Sequence, residues 1–190
     1  MTLSRVYKAD GIILKRKNVG EADRILTSFT KEYGKLRAIA KGIRKVSSRR
    51  APHLEVFTHV TMVIHSSKTL DSVSEVSPIE TFSYLRSDLV RVSLGYYLCE
   101  LIDSLLPERQ KHEDIYKLLQ ESLASLNDKH FHTIYYLSKQ FTLELLWRLG
   151  FLPREKDLSG AKLQAFIESI TERRLKTPPF ARRLLKSDSS

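Results

Sequence analysis

The sequence has little of what small functional sites are usually built from. Its 190 residues include one cysteine, Cys99, which excludes an intramolecular disulfide and a multi-cysteine metal site within them. The six histidines contain no HExxH pair, and the seven glycines form neither a GxxxxGK phosphate loop nor a dinucleotide fingerprint. We therefore expect no bound metal, no cofactor and no enzymatic activity.

Long apolar runs and acidic residues are also scarce. No apolar run approaches the ~20 residues that a membrane-spanning helix needs, and the first residues do not resemble a secretory leader. The 32 lysines and arginines outnumber the 22 aspartates and glutamates, which gives a net charge of +10 and a pI near 9.7. We expect a cytoplasmic protein without a membrane partner. Its positive charge favours a polyanionic ligand, with nucleic acid ahead of an anionic membrane surface.

Most of this charge lies between Lys31 and Arg50, where eight basic residues stand against one acid, Glu32. Residues 35–41 alternate with a period of two, which is typical of a strand. The alternation puts one set of side chains inward and the other outward: Leu36, Ala38 and Ala40 against Lys35, Arg37 and Lys41. Residues 43–50 carry too many charges to be packed on both sides. We expect a mobile cationic loop there.

The first 80 residues read as short strands separated by turn residues. Five strands are predicted, at Ala9–Lys17, Asp23–Lys31, Lys35–Lys41, Leu54–His65 and Leu70–Val76, the last ended by Pro78. Five strands with a long loop after the third suggest an OB-type barrel, although no helix is visible between the third and fourth strands. The prediction is a barrel domain at residues 1–80.

From Ile79 onward the apolar period changes to 3.6, so residues 81–190 are predicted to form an all-helical domain. Ser87 or Asp88 can cap a first helix that ends before Pro107, and a second runs from Glu113 to Asn127. A third, Phe131–Leu149, has an apolar stripe wide enough for the central helix of a bundle and ends at Gly150. A fourth is expected to run from Leu163 to about Leu175 and to be broken by Pro178 and Pro179, with a basic tail after it. The fold class is therefore α+β.

Charged runs are usually just solvated surface, so the basic stretch needs support from other features. Three cations share one strand face, and the adjoining loop adds four more, so the charge is concentrated where a phosphate backbone could lie. Tyr33 and Phe57, with Phe29 as a further candidate, are near enough in the sequence to serve as stacking platforms. His59 and His65 share a strand face with Glu55 but stand too far apart for one metal. We predict a nucleic-acid site at Tyr33, Lys35, Arg37, Lys41, Arg44, Lys45, Arg49, Arg50 and Phe57.

Residues 10–60 resemble the N-terminal domain of the bacterial recombination mediator RecO, the DNA repair protein O family. The resemblance rests on GEAD at residues 20–23, on Gly34, and on KGIRK at residues 41–45 followed by Ser48 and Arg49. It extends more weakly through LLWRLGFLP at residues 145–153 and RRLKTPPF at residues 173–180. It thus covers nearly the whole chain.

The resemblance implies an OB domain and a helical domain that bind single- and double-stranded DNA and anneal complementary strands in recombinational repair of DNA damage. It implies two protein partners, RecR and the C-terminal tail of single-strand binding protein (SSB), and a role in loading recombinase onto SSB-coated strands near the nucleoid. The DNA-contact role falls on the same basic residues, Lys35, Arg37, Lys41, Arg44, Lys45 and Arg49. Many members carry a four-cysteine zinc module after the position of Pro153, which is absent from residues 154–159 here.

The SSB tail is acidic and ends in an apolar residue with a free carboxylate, so it needs an apolar pocket with a cationic rim. Arg91, Lys139 and Arg148 are the rim candidates in the helical domain. Two other functions stay open from the residues alone: an OB protein that binds folded RNA, and a scaffold whose basic face docks acidic protein tails.

Overall fold

The structure is a computed structural model that describes residues 6–172 and Leu175. Its contacts divide the chain into two compact units. The first runs to Thr81 and also includes Leu106–Tyr116, and the second consists of Phe82–Leu105 and the chain from Lys117 onward. The predicted helix end near Leu175, the break at Pro178 and Pro179 and the basic tail lie outside the described residues, apart from Leu175 itself.

The first unit is a closed five-stranded barrel, as the sequence predicts. Its strands are β1 (Val6–Val19), β2 (Asp23–Thr30), β3 (Gly34–Ala40), β4 (His59–His65) and β5 (Asp71–Glu80). They close in the order β1-β2-β3-β5-β4, in which only β3 and β5 pair in parallel. The alternation of residues 35–41 is confirmed, since Leu36, Ala38 and Ala40 lie in the barrel core. The fold class, an OB-type barrel followed by helices, is confirmed.

Two strand ends differ from the prediction. The fourth strand begins at His59 rather than Leu54, because Pro52 starts a short 3-10 turn, Ala51–Leu54, and Phe57 has a φ of 76° that no strand allows. The fifth strand continues past Pro78 to Glu80. Proline is tolerated there because the β4–β5 register is irregular next to its partner Val60, where a missing N–H interrupts the ladder least.

Five helices are described: α1 (Ser83–Ser87), α2 (Leu89–Leu105), α3 (Glu113–Asn127), α4 (Ile134–Arg148) and α5 (Gly160–Thr171). The sequence missed α1. It placed the caps correctly: Asp88 Oδ1 accepts the amides of Val90 and Arg91 at the start of α2, and Gly150 follows α4 with a φ of 75°. Within residues 6–172, no helix is long and apolar enough to cross a bilayer.

In the second unit, α2 is the helix on which the others pack. It contacts α1, α4 and α5, and it buries Leu94, Leu98, Leu101 and Ile102. We expected α4 to be central because of its wide apolar stripe, and this was wrong. The stripe of α2 is wider still, since small residues such as Gly95 are buried on it as well and let neighbouring helices approach closely.

Residues 106–116, which connect α2 to α3 and include the first turn of α3, pack on the barrel as part of the first unit. We call this segment the strap. Its Arg109 amide donates to the Lys35 carbonyl at 2.8 Å, and its Arg109 guanidinium donates to Asp71 Oδ2 at 2.7 Å. Farther along, the Tyr116 ring lies 5.9 Å from the ring of Phe29. The strap therefore packs on the outer face of β2 and β3 at Phe29 and Lys35.

Asp71 is the buried anchor of the strap. Burial by itself raises the pKa of its carboxyl, but hydrogen bonds from the Tyr7 hydroxyl, the Ser67 amide and Arg109 outweigh that effect and lower the pKa below its ordinary value. Tyr7 donates at 2.6 Å and the Ser67 amide at 3.1 Å. Asp71 therefore stays ionised at neutral pH and holds the Arg109 guanidinium electrostatically.

A buried histidine of β4 that contacts the strap gives a pH-dependent stability. His59 shares a 2.8 Å hydrogen bond with the Tyr116 hydroxyl, and burial lowers the pKa of its imidazole, although Asp10 and Glu80 oppose the shift in part. The imidazole therefore binds a proton more readily in the unfolded chain than in the folded one. The free energy of unfolding should be highest above about pH 6.5 and should fall as the pH drops below that value.

The measurement is chemical unfolding followed between about pH 7.5 and pH 5.5, a window that avoids most carboxylates. His59→Gln should flatten this pH dependence, whereas His65→Gln, on the same strand, should keep it. A wild-type stability that is constant across this window would contradict the prediction.

Candidate nucleic-acid interface

The basic loop starts where β3 ends and is tied to the turn between β1 and β2. The Gly42 amide donates to Asp23 Oδ1 at 2.7 Å, and the Arg44 amide donates to the Ala22 carbonyl at 2.9 Å. The Arg44 guanidinium donates to the Gly20 carbonyl at 3.1 Å. The GEAD and KGIRK motifs, which begin 21 residues apart in the sequence, are therefore one structural unit at one end of the barrel.

The loop itself is folded into successive turns. The Lys45 amide donates to the Gly42 carbonyl, and the Ser48 amide donates to the Lys45 carbonyl. Ile43 is fully buried and belongs to the barrel core, so the expected mobile loop is anchored at that position. One apolar residue in the core fixes the loop, and the cations around it point to solvent.

The cations of the loop divide into two kinds. Lys41, Arg44, Lys45 and Arg49 are exposed. Arg50 instead donates to three carbonyl oxygens, those of Lys41 at 2.8 Å, Val73 at 2.9 Å and Ser74 at 3.1 Å. It fastens the end of the loop to β5, which is a structural role that the sequence did not reveal.

The outer face of the barrel contributes further cations next to the loop. Lys15, Thr27 and Arg37 are partners in one row across β1, β2 and β3. The side chains of Lys15 and Arg37 are exposed, as is Lys17, two residues further along β1. Sequence reasoning missed Lys15 and Lys17, although their period-two spacing is the signal that it used for β3.

Lys35 lies on this same outer face but is not available there. Its side chain is only 7% exposed, because the strap passes over it: residue 108 bridges to Lys35, and the Arg109 amide bonds to its carbonyl. Alternation correctly assigned the face, but alternation carries no information about a distant segment that packs on it.

A pair of arginines at the end of the barrel was also missed. Arg16 and Arg24 both pair with Oε1 of Glu55, Arg24 at 3.2 Å, and Arg24 also donates to Asn18 Oδ1 at 3.0 Å. Glu55 thus has its charge compensated from two sides. Arg24 is paired in register with Ala40, the last residue of β3, so it lies near the start of the basic loop.

The aromatic side chains that were predicted to stack on bases differ in their exposure. Tyr33 is exposed in the β2–β3 hairpin, with its ring edge-on to Tyr7 at 4.8 Å between centroids. Phe57 is 2% exposed, and Phe29 is fully buried against Tyr116. The expectation that Phe57 offers an accessible face is therefore wrong, because the turn at residues 54–58 directs it inward instead of outward from a strand.

In the second unit, Arg91 is 4% exposed and does not stand on a rim. Its guanidinium donates to the carbonyls of Leu126 and Asp128 at 2.8 Å and of Phe131 at 2.9 Å, and it lies over the Tyr84 ring at 4.9 Å. The first of these carbonyls belongs to the last turn of α3, and the other two belong to the connection between α3 and α4. Arg91 holds that connection in place.

Lys139 and Arg148 do not converge either. They are nine residues apart on α4, about two and a half turns, which puts them on opposite faces. Lys139 pairs with Asp157 at 3.0 Å and Arg148 with Glu144 at 3.2 Å. The three predicted rim residues therefore form no common site.

The buried role of Arg91 gives a stability prediction. Arg91→Met keeps most of the apolar stem but leaves three carbonyls without their donor, so we expect the free energy of unfolding to fall by about 2–4 kcal/mol. Lys139→Met should cost less than ~1 kcal/mol, because an exposed ion pair contributes little. Thermal and denaturant unfolding of both variants measure the difference. Equal losses of stability would show that Arg91 does not hold the connection between α3 and α4 in place.

The histidines and Cys99 are the candidates for metal binding and for nucleophilic chemistry. Within the part of the chain that the structure describes, no three His, Cys, Asp or Glu side chains gather closely enough to hold a metal ion. His65 Nε2 lies 3.0 Å from Ser74 Oγ. Cys99 is buried, and burial raises the pKa of its thiol. No residue among these is poised as a nucleophile.

Comparison with known proteins agrees with this architecture. The model for the recombination protein O N-terminal domain matches residues 1–82, and that for its C-terminal domain matches residues 86–183. The chain is 40% identical over 148 residues to the DNA repair protein RecO of Symbiobacterium thermophilum, covering 78% of this chain and 58% of that protein.

Two further relatives, also named DNA repair protein RecO, come from Roseiflexus sp. strain RS-1 and Pelotomaculum thermopropionicum. They are 37% and 34% identical, over 79% and 78% of this chain and 52% and 57% of their own lengths. The chain thus spans little more than half the length of these curated relatives. With both family models matched in order along a barrel and a set of helices, the chain belongs to the RecO family.

Proposed function

We propose that this protein is a DNA-binding recombination mediator in DNA repair and that the end of the barrel near the basic loop is its DNA surface. The observation that carries the proposal is the gathering of exposed cations from separate parts of the chain onto this end. They are Lys15, Lys17, Arg37, Lys41, Arg44, Lys45 and Arg49. We leave Lys35, Arg50 and Phe57 out of the interface because packing or hydrogen bonding already occupies them.

The proposed mechanism is neutralisation of phosphate charge. Two DNA strands repel each other along their backbones, and a surface that holds the phosphates of both lowers this repulsion so that complementary bases can meet. Arg44 and Arg49 can present their guanidinium groups to phosphate oxygens, and the lysines act as point charges. Fixed loop turns present these groups without first having to order the chain.

The test that separates this function from its rivals is strand annealing. Complementary oligonucleotides, one with a donor and one with an acceptor dye, should pair several-fold faster with the protein than without it. An OB protein that only binds folded RNA, or a scaffold for acidic protein tails, would leave the annealing rate unchanged. No acceleration at protein concentrations that saturate the DNA would refute the annealing role.

We further propose that the protein acts with RecR and with the SSB tail to load recombinase on SSB-coated strands, in the cytoplasm near the nucleoid. Membership of the RecO family supports these partners, and two cations on α4 are candidates for the tail site. Because Arg91 is buried, Lys139 and Arg148 are the remaining candidates, one on each face of the helix. Calorimetry with an SSB tail peptide, using Lys139→Gln and Arg148→Gln separately, should show which face receives the carboxylate, and binding unaffected by either change would refute both.

A further inference from the structure

A pocket of about 500 Å3 opens between the basic loop, the 3-10 turn and the start of β2. Its volume falls in the range of about 300 to 1,000 Å3 that is usual for small-ligand sites. All its walls come from the first unit: Arg24, Ile43, Arg44, Lys45, Val46, Ser48, Ala51, Pro52 and Glu55. The proposed DNA surface therefore contains a concave place as well as charge.

The pocket has one apolar wall. Ala51 and Pro52 form it on the 3-10 turn, and the basic loop adds Ile43 and Val46 to the apolar lining. Val46 is fully exposed, at the tip of a loop whose backbone is held by hydrogen bonds on either side of it, at Lys45 and Ser48. A large apolar side chain held in water at a fixed position gains contact only when something covers it.

The rest of the pocket is polar and mostly cationic. Arg44 and Lys45 stand beside Val46, and Arg24 lies deeper with Glu55 bonded to it. Since Arg16 also pairs with Glu55, the carboxylate does not cancel the charge of the two outer cations. A ligand that suits these walls has a flat apolar body, a polar edge and an adjoining negative charge.

We propose that this pocket holds one unstacked nucleotide of a single DNA strand. The base lies between Val46 and the Ala51–Pro52 wall, and its phosphate meets Arg44 and Lys45. Ser48, Arg24 and Glu55 offer donors and acceptors to the base edge, a mixture that accepts any base rather than selecting one. This inference rests on the proposed function and deepens it, because holding one base out of the stack keeps the single strand from folding on itself before it meets its complement.

The experiment separates base contacts from phosphate contacts. The probes are oligothymidine and an abasic strand of equal length, both longer than the ~16 nucleotides that one OB fold covers at most. The wild-type protein should bind the oligothymidine more tightly. Val46→Ser should weaken oligothymidine binding by roughly three- to tenfold, the loss expected for part of a valine's burial, and leave abasic binding unchanged. Its salt dependence should also stay the same, since no cation is removed.

Val6→Ser is the matched control, because Val6 is likewise exposed but lies at the start of β1, at the far end of that strand from the GEAD turn. It should leave both affinities unchanged. The nucleotide pocket would be overturned if Val46→Ser bound both strands as tightly as the wild type, or if it lost affinity equally for both. The proposed DNA binding would still stand in either case. If the wild-type protein bound neither strand, the proposed function would fail, and this inference with it.

Discussion

Replacing Lys41, Lys45 and Arg49 together by glutamine should weaken binding to single-stranded DNA at least tenfold near 0.1 M salt. Each phosphate contact that is lost removes about 0.7 from the slope of log affinity against log salt on a single strand, so three remove about 2. The loss should be similar for all base sequences, because phosphates carry no sequence information. Fluorescence anisotropy titrations at several salt concentrations measure both the affinity and the slope.

The matched control removes the same charge elsewhere. Lys68, Lys129 and Lys162 are exposed and lie outside the basic loop, and their triple change to glutamine leaves the same net charge on the chain. It should alter the slope little. If both triple variants lost affinity and slope equally, the protein would bind DNA through its overall charge, and the basic loop would have no special role. Arg50 is left unchanged in the test because its three bonds to carbonyls would mix folding with binding.

Local pattern was enough to predict most of the barrel. Leu36, Ala38 and Ala40 point inward and Arg37 and Lys41 outward, because a strand alternates whatever packs around it. The same holds for the caps at Asp88 and Gly150, where the local backbone sets the residue type. The prediction failed at residues 54–58 for a local reason as well: the alternating apolar residues there belong to the end of the 3-10 turn and to the turn that follows it, and not to a strand.

Contacts between distant parts of the chain could not be predicted in this way. Lys35 and Phe29 lie on the expected face, but the strap, some 70 to 90 residues later in the sequence, covers them. Arg91 looked like a surface cation in an amphipathic helix, although its guanidinium bonds to carbonyls that lie 35 to 40 residues further on. A charged residue is recognised as structural only when its partners are in place.

The RecO-like motifs gain a physical meaning from these contacts. GEAD and KGIRK, on which the resemblance rests, form one joint. In it, Asp23 and the carbonyls of Gly20 and Ala22 accept hydrogen bonds from the basic loop. The joint sets the direction of Lys45 and Val46. Electrostatics and the apolar lip of the pocket thus depend on a turn that carries no net positive charge of its own.

Gly34 should be the glycine least tolerant of substitution in the barrel. Its φ is 69°, and a Cβ built on it would lie 1.9 Å from the carbonyl oxygen of Gln110 in the strap. Gly34→Ala therefore carries the usual cost of a left-handed conformation, roughly 1–2 kcal/mol, together with a backbone clash that resembles overpacking at roughly 1–3 kcal/mol. We expect the free energy of unfolding to fall by about 2–5 kcal/mol.

Gly20→Ala separates the two causes. Gly20 has a φ of 56° with nothing within 4 Å of the added Cβ, so it should lose only the conformational part. Hydrogen exchange gives a second measurement, because the Arg109 amide bonds to the Lys35 carbonyl at 2.8 Å only while the strap lies on the barrel. In Gly34→Ala this amide should exchange faster than in Gly20→Ala when the two variants are compared under conditions that give them the same free energy of unfolding. Equal protection in both variants would mean that the strap moves aside without cost, and that Gly34 matters for its turn alone.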